Sequence, residues 1–560
     1  MVWIEGEVPH GIGPHDVAIA LVGATFPNGF VKNRVLEFAG PGIEKLSMDF
    51  RIGIDVMTTE TSCLTSIWET DEAVEEYYRT IGRPEDFRTL RLQEGAAYDR
   101  VVKIDLSAME AMIALPFHPS RAYTIHELQA DPLRILRETE EACNASLGGQ
   151  VTMDLQHIVN DKGQVTCDQG VIVGCSGGMY ENLREAAAIL DGKSVGNGYF
   201  EMSVYPSSTP VSKAIIKDGT AEKLMEAGVL IKSAFCGPCF GAGDTPAHNS
   251  LSIRHATRNF ANREGSKPAN GQIAAVALMD ARSIAATAAN GGVLTAATDI
   301  DYTVAPHKYE YDGGMYEKRC YNGWGHPCPD EPLRLGPNIT DWPAMPQLNE
   351  DLLVRLTAVI HDPVTTTDEL IPSGETSSYR SNPIALSEFA LSRRVPGYVG
   401  SSKAVRDRTG DVPEALAMAL NALGRRDAGL SIGSCVFSHK PGDGSAREQA
   451  ASCQKVLGGS ANICFEYATK RYRSNCINWG IVPFTLPEGS GFALNEGDWV
   501  YIPGVRSGIL EGKSEFAATA VRSDGTTEPI TLLCRGLSEE ERIIMTCGCL
   551  INYYAAGGKA

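Results

Sequence analysis

Apolar and polar positions change period repeatedly along the chain, and the changes predict a mixture of strands and helices. Val2-Trp3-Ile4-Glu5-Gly6-Glu7-Val8 alternates as a half-buried strand does from the first residues onward, as if the chain entered a domain partway through. Residues 16–22 and 36–38 are apolar runs separated by glycine-rich turns, 70–81 repeats with the period of a helix, and 100–105 alternates once more. Val171-Ile172-Val173-Gly174 reads as a buried strand. A turn of small residues and an amphipathic helix from Glu181 to Leu190 follow, completing one βα unit. Over 307–345 the periodicity fades and glycine, proline and aromatics accumulate, as in Trp324-Gly325-His326-Pro327, so this stretch is expected to connect two folded parts. The apolar pattern resumes at 352–359, a helix is expected over 414–423, and 498–503 and 529–534 read as strands.

At 560 residues the chain is too long for one core. The pattern divides it into α/β domains at 1–140 and 141–306, a linker at 307–346 and a C-terminal α/β domain at 347–560. With 43% hydrophobic and 21% charged residues there is apolar material enough to offset the entropy of ordering, which excludes wholesale disorder. Lys plus Arg number 50 against 69 Asp plus Glu, a net charge of −19 that repels phosphate backbones and anionic lipid, so neither nucleic acid nor membrane is an expected partner. There is no basic and apolar leader and no apolar run of about 20 residues, and a cytoplasmic location is expected. Fifteen cysteines, an odd number, suit reduced thiols with some metal ligands better than a disulfide framework.

Two of those cysteines stand in Phe235-Cys236-Gly237-Pro238-Cys239-Phe240-Gly241, where the inner glycine and proline favour a tight turn that aims both thiols at one point. Zinc, a redox dithiol and an iron-sulfur cluster all remain open for this pair alone. Cys175 sits where the buried strand ends and a helix opens, a place where backbone N–H groups face an anion or a sulfide. Three thiolates without a fourth would leave one iron of a [4Fe-4S] cluster open, and an open iron is a Lewis acid. Shortly after, Thr257-Arg258-Asn259-Phe260-Ala261-Asn262-Arg263-Glu264-Gly265 offers two guanidinium forks, the natural receptors for carboxylates. Gly442-Asp443-Gly444-Ser445-Ala446-Arg447-Glu448 sets a serine and an arginine on a glycine-rich turn before a helix, a motif that serves equally as a plain helix cap.

Further segments extend the series: Glu37-Phe38-Ala39-Gly40-Pro41-Gly42, Glu60, Thr366-Thr367-Asp368, Arg380, and residues 468–483 ending Gly480-Ile481-Val482-Pro483. In this order the segments resemble the aconitase superfamily of iron-sulfur hydro-lyases over nearly the whole chain. The resemblance implies a multidomain α/β core, a linker and a C-terminal swivelling α/β domain that closes over the cleft. It implies a [4Fe-4S] cluster on Cys175, Cys236 and Cys239, and carboxylates of a di- or tricarboxylic hydroxy acid held by Arg258, Arg263, Arg380 and Arg447. It further implies Ser445, as the base, Arg447 and Glu60 as catalytic residues, with Asp368 beside the substrate. Several positions depart from the family pattern: Cys175-Ser176-Gly177 stands for Cys-Thr-Asn, Val56 and Thr257 for asparagines, Ala446 for a serine and Gln449 for a histidine, which argues against citrate as the assumed substrate. The family's first domain, with its Asp-Ser-His motif, finds no counterpart: none of the 11 histidines follows an Asp-Ser or an Asp. A separate first-domain polypeptide is therefore an expected partner, and Glu60 is expected to lack the histidine it pairs with in relatives. The alternative reading is a non-catalytic iron or redox sensor on the same fold, for which an easily lost cluster is the useful property.

Overall fold

The computed structural model describes residues 1–560 apart from 148, 150, 197, 373, 375, 488–492 and 559–560. The chain forms two units, Met1–Glu331 and Pro332–Ala560.

In the first unit, β1 (Val2–Glu5), β2 (Val35–Ala39), β3 (Thr65–Trp68) and β4 (Val102–Asp105) make a parallel sheet in the order β3-β2-β1-β4. β1 stops at Glu5, short of the alternating stretch, because the Glu7 N–H turns to the Ser107 hydroxyl at 3.0 Å. A second sheet contains β5 (Met112–Ala114), β6 (Ala122–Thr124), β7 (Gln169–Ile172), β8 (Glu201–Val204), β9 (Leu230–Ile231), β10 (Leu251–His255) and β11 (Ala275–Met279), in the order β6-β5-β11-β10-β7-β8-β9. Its last five members run parallel, and β5 and β6 form an antiparallel edge. Such a sheet needs cover on both faces, and β7, β10 and β11 are accordingly buried at every position, β11 with apolar residues alone. The helix Tyr180–Leu190 and the helix Ala281–Ala289 pack Leu183 and Ile284 against one face. The helix Pro14–Thr25 covers the other with Ala18 and Val22 and turns Val17 and Leu21 to the first sheet. Lying between two sheets, it is apolar nearly all round.

The second unit is built on a closed barrel of β12 (Asp351–Ile360), β14 (Leu430–Ser438), β16 (Gly459–Cys464), β17 (Val482–Thr485), β18 (Trp499–Ile502), β19 (Glu515–Val521) and β20 (Thr527–Leu533). β13 (Thr365–Thr366) and β15 (Pro441–Asp443) form a separate parallel pair. Along β12, Leu352, Val354 and Leu356 point into the barrel while Leu353 packs outward against Val405 and Leu416, so both faces are buried and the strand reads as a continuous apolar run. The stretch expected to be an irregular linker carries one short helix, Gly314–Arg319. Among the described residues no helix is long and apolar enough to cross a membrane.

Beneath the second sheet's C-terminal edge lies a group of ionisable side chains with no access to water. The rings of His15 and His255 stack at 4.1 Å, the Ala281 N–H donates to His255 Nδ1 at 3.0 Å, and Arg282 donates to Asp280 at 3.1 Å. Burial pushes the His255 imidazole down to about 4, against the charge of Asp280, and pushes His15 down as well. With its folded value depressed, His255 adds stability above pH 6.5 and loses it as the pH falls toward 4, because the unfolded chain takes the proton first. His255 alone contributes about 3 kcal/mol to this slope. Buried Asp16 beside Asp280, raised well above the usual carboxylate range by burial, works in the opposite direction. Stability measured by denaturant unfolding is therefore expected to fall more steeply between pH 7 and pH 4 in wild type than in His255→Gln, and equal profiles would exclude a neutral buried imidazole at His255.

Candidate functional site

The candidate cysteines and arginines of the first unit sit beyond the C-terminal ends of parallel strands, where such sheets gather their ligand sites, while Glu60 lies on the turn Thr58–Thr61 ahead of β3. Cys175 follows β7 on the one-turn helix Gly174–Gly177, Cys236 and Cys239 follow β9, and Arg258 follows β10. The Asn182 amide donates to the Ser176 carbonyl at 2.9 Å and accepts from Arg282 at 3.1 Å, so the buried charge network anchors the turn that carries Cys175. Around the CxxC turn the Cys239 N–H bonds the Cys236 carbonyl at 3.1 Å, closing the loop that places both thiols on one side.

The three thiols face a common space. Gly174 has φ +75, and a Cβ added there would lie 3.2 Å from Cys239 Sγ and 3.4 Å from Cys236 Sγ. The thiols also affect one another. Desolvation by the turn and the nearby Cys236 push the Cys175 thiol up although the residue reaches the surface, while Arg258 pulls it down. Cys239 is raised well above the ordinary thiol range by its hydrogen bond with Cys236 and by burial, with Arg263 opposing. All fifteen cysteines are unbridged. Thiols crowded together and held protonated are the state that a metal converts to thiolate ligands. Among the described residues no three His, Cys, Asp or Glu side chains converge as for a single ion. A cuboidal cluster does not ask for that, since each thiolate binds its own iron. The donor set and the glycine-lined space therefore fit a cluster. Gly174→Ala is expected to cost about 1 to 2 kcal/mol from the left-handed backbone alone and to lower iron uptake by crowding two sulfurs; chemical denaturation and iron assay check the two effects.

Arg258 and Glu60 form an ion pair shielded from water, with side chains 14% and 3% exposed. A guanidinium from the loop after β10 thus holds the Glu60 carboxylate. The Asn259 amide, donating to the carbonyls of Ala114, Leu115 and Val276 at 3.0 to 3.2 Å, fixes the loop that carries Arg258 and Arg263. Sequence reasoning missed His118, which stacks on Phe26 at 4.0 Å and lies 5.4 Å from Phe260. Its Nδ1 accepts from the Ser120 N–H at 3.1 Å, which leaves the ring proton on Nε2. Burial pushes the ring down to about 4 against the charge of nearby Glu60, with Arg121 adding to the fall. No motif marks this position; only the fold brings Pro116-Phe117-His118-Pro119 to Glu60.

The second unit gathers its own set. Pairing of β13 with β15 brings Thr366-Thr367-Asp368 alongside Gly442-Asp443-Gly444, and the Ala446 N–H donates to Thr367 Oγ1 at 3.2 Å. Gly444, at φ +114, leaves no room for a side chain: a Cβ would stand 2.4 Å from Thr367 Oγ1. Ser445 is exposed on this turn, and Arg447 opens the helix Arg447–Val456 buried beneath it. Asp368, also buried, pairs with Arg393 at 3.2 Å. Arg380 is exposed just after the turn Ser377–Tyr379.

A profile of the Aconitase family (aconitate hydratase) matches residues 1–286, just over half the chain. The chain belongs to the aconitase family. It is 29% identical over 290 residues to the 3-isopropylmalate dehydratase large subunit of Nitratidesulfovibrio vulgaris, a match covering 52% of this chain and 60% of that protein. The mitochondrial aconitate hydratase of Aspergillus fumigatus is 25% identical over 524 residues, covering 88% of this chain and 62% of its own length. The mitochondrial homoaconitase of Cryptococcus neoformans is 25% identical over 497 residues, with 87% and 63% covered. The chain thus spans less than two thirds of the relatives it matches. Its aconitase-family relatives are hydro-lyases, enzymes that add or remove water.

Proposed function

We propose that the chain acts as a [4Fe-4S]-dependent hydro-lyase on a di- or tricarboxylic hydroxy acid. The observation that carries this reading is the convergence of Cys175, Cys236 and Cys239 on one space flanked by Arg258 and Arg263. Bound to those thiolates, a cluster would supply Lewis acidity toward hydroxyl and carboxylate oxygens. Arg258, Arg263, Arg380 and Arg447 hold substrate carboxylates, each through a planar fork. Ser445 Oγ takes the proton from the carbon beside a carboxylate. An alkoxide is a poor base to generate in water, and the buried Arg447 with the N–H groups of the turn supplies the positive field that steadies it. Thr367 steadies the Ser445 turn through the Ala446 N–H, and Asp368 lies beside the substrate. Glu60, between Arg258 and His118, lies where a proton travels toward the departing hydroxyl oxygen. A sensor has no use for carboxylate forks, which places that alternative second.

The test is anaerobic reconstitution followed by a panel of hydroxydicarboxylates and hydroxytricarboxylates, read as absorbance of the unsaturated acid and as heat of binding. Ser445→Ala is expected to cut turnover about 100-fold or more with iron content and carboxylate binding intact. A loaded protein that neither binds nor converts any member of the panel would sink the hydro-lyase reading.

A further inference from the structure

Arg254 lies on β10 between β7 and β11, with only 2% of its surface exposed, directly beneath the two-cysteine turn. Its guanidinium is fully committed: Nε donates to Ser252 Oγ at 2.9 Å, one terminal nitrogen to the Pro238 carbonyl at 2.6 Å, and the other to the Asp244 carbonyl at 2.6 Å and Gln169 Oε1 at 3.2 Å. Pro238 stands between Cys236 and Cys239, and Asp244 closes the loop that leaves them, so one side chain ties both ends of the cysteine loop to the sheet. All four acceptors are uncharged oxygens. A cation taken fully out of water costs several kcal/mol unless an anion sits close by. The acidic groups that the fold places within electrostatic reach of Arg254 are buried Glu264 first, then Cys239 of the turn and Asp244, so a cluster on that turn would share the arginine's charge with two carboxyl groups.

We propose that Arg254 is the positioning residue of the CxxC turn and the buried counter-charge of the cluster that turn carries. The inference rests on the cluster reading above. Two roles are separable. The fork fixes the carbonyls of Pro238 and Asp244 and so preserves the aim of both thiols. The charge offsets the negative charge of thiolates and cluster, which makes addition of an electron easier, because cluster potentials rise with positive charge nearby.

The experiment compares wild type with Arg254→Lys and Arg254→Gln after anaerobic loading with iron and sulfide, reading iron release to a ferrous chelator and the reduction potential followed by electron paramagnetic resonance. Lysine keeps the charge and loses the fork, so iron release is expected to quicken about tenfold or more with the potential near the wild-type value. Glutamine loses both, so release quickens at least as much and the potential moves to more negative values. A purely structural role would speed release in both variants and leave both potentials unchanged, which overturns the counter-charge. Variants that match wild type in rate and potential overturn the proposal entirely. A wild-type chain that takes up no cluster overturns the cluster reading and this inference with it. Should Arg254→Gln not fold, an Arg254→Lys release rate equal to wild type still refutes the positioning role.

Discussion

Cys175→Ser, Cys236→Ser and Cys239→Ser are each expected to lose most of their iron and acid-labile sulfide after anaerobic reconstitution, while Cys320→Ser and Cys328→Ser keep the wild-type content. The contrast follows from position. Cys175, Cys236 and Cys239 follow the C-terminal ends of β7 and β9, which flank β8 in one parallel sheet, and share a space narrow enough that a single methyl group at Gly174 would touch two of the sulfurs. Cys320 and Cys328 are exposed in the irregular chain segment 307–346. Losing one of three ligands should also be worse than losing a third of the affinity, because a second iron becomes open and the cluster is then prone to oxidative loss. Iron and sulfide assays beside a visible absorbance spectrum measure all five variants. Full cluster content in any one of the first three, with loss at Cys320 or Cys328, would reassign the ligands.

The parts of this site that were legible in sequence are those encoded locally. Gly-Pro between two cysteines dictates a turn whatever surrounds it, and an apolar run ending in Gly174-Cys175 dictates a strand end, so the three thiols stood out before any fold was known. The second unit's barrel was not legible as a barrel. Its closing pairs join β12 to β14 and to β18, segments separated by long stretches of chain, and each strand taken singly reads only as apolar. His118 was missed for the same reason: its meaning comes from Phe26, Phe260 and Glu60, none of them near it in sequence. Arg254 offered a signal that went unread. In Leu251-Ser252-Ile253-Arg254-His255 every position is buried, and an arginine buried in a central strand is a cost that the chain must recover somewhere. The pairing of Glu60 with Arg258 was not legible either, because the two stand far apart in sequence and only the fold joins them.

Arg263→Lys is expected to weaken binding of every di- or tricarboxylate by about tenfold or more. A charge-assisted fork to a carboxylate contributes roughly 1.5 to 3 kcal/mol where water is excluded, and lysine, a point charge on a flexible stem, cannot form the planar pair of bonds. Arg258→Lys should behave differently although the two arginines share one loop. The Arg258 guanidinium already holds Glu60, so part of its function is internal. Weakening a shielded pair leaves a buried carboxylate imperfectly satisfied, and the expected result is a loss of about 1 to 3 kcal/mol in unfolding free energy together with weaker binding. Calorimetry against the carboxylate panel and denaturant unfolding, run on both variants with iron content matched, separate the two effects. Equal affinities for wild type and Arg263→Lys across all ligands that bind would mean that the loop after β10 does not face the substrate. An Arg258→Lys protein of unchanged stability would mean that Glu60 draws its stabilisation from elsewhere, with His118 the first side chain to test.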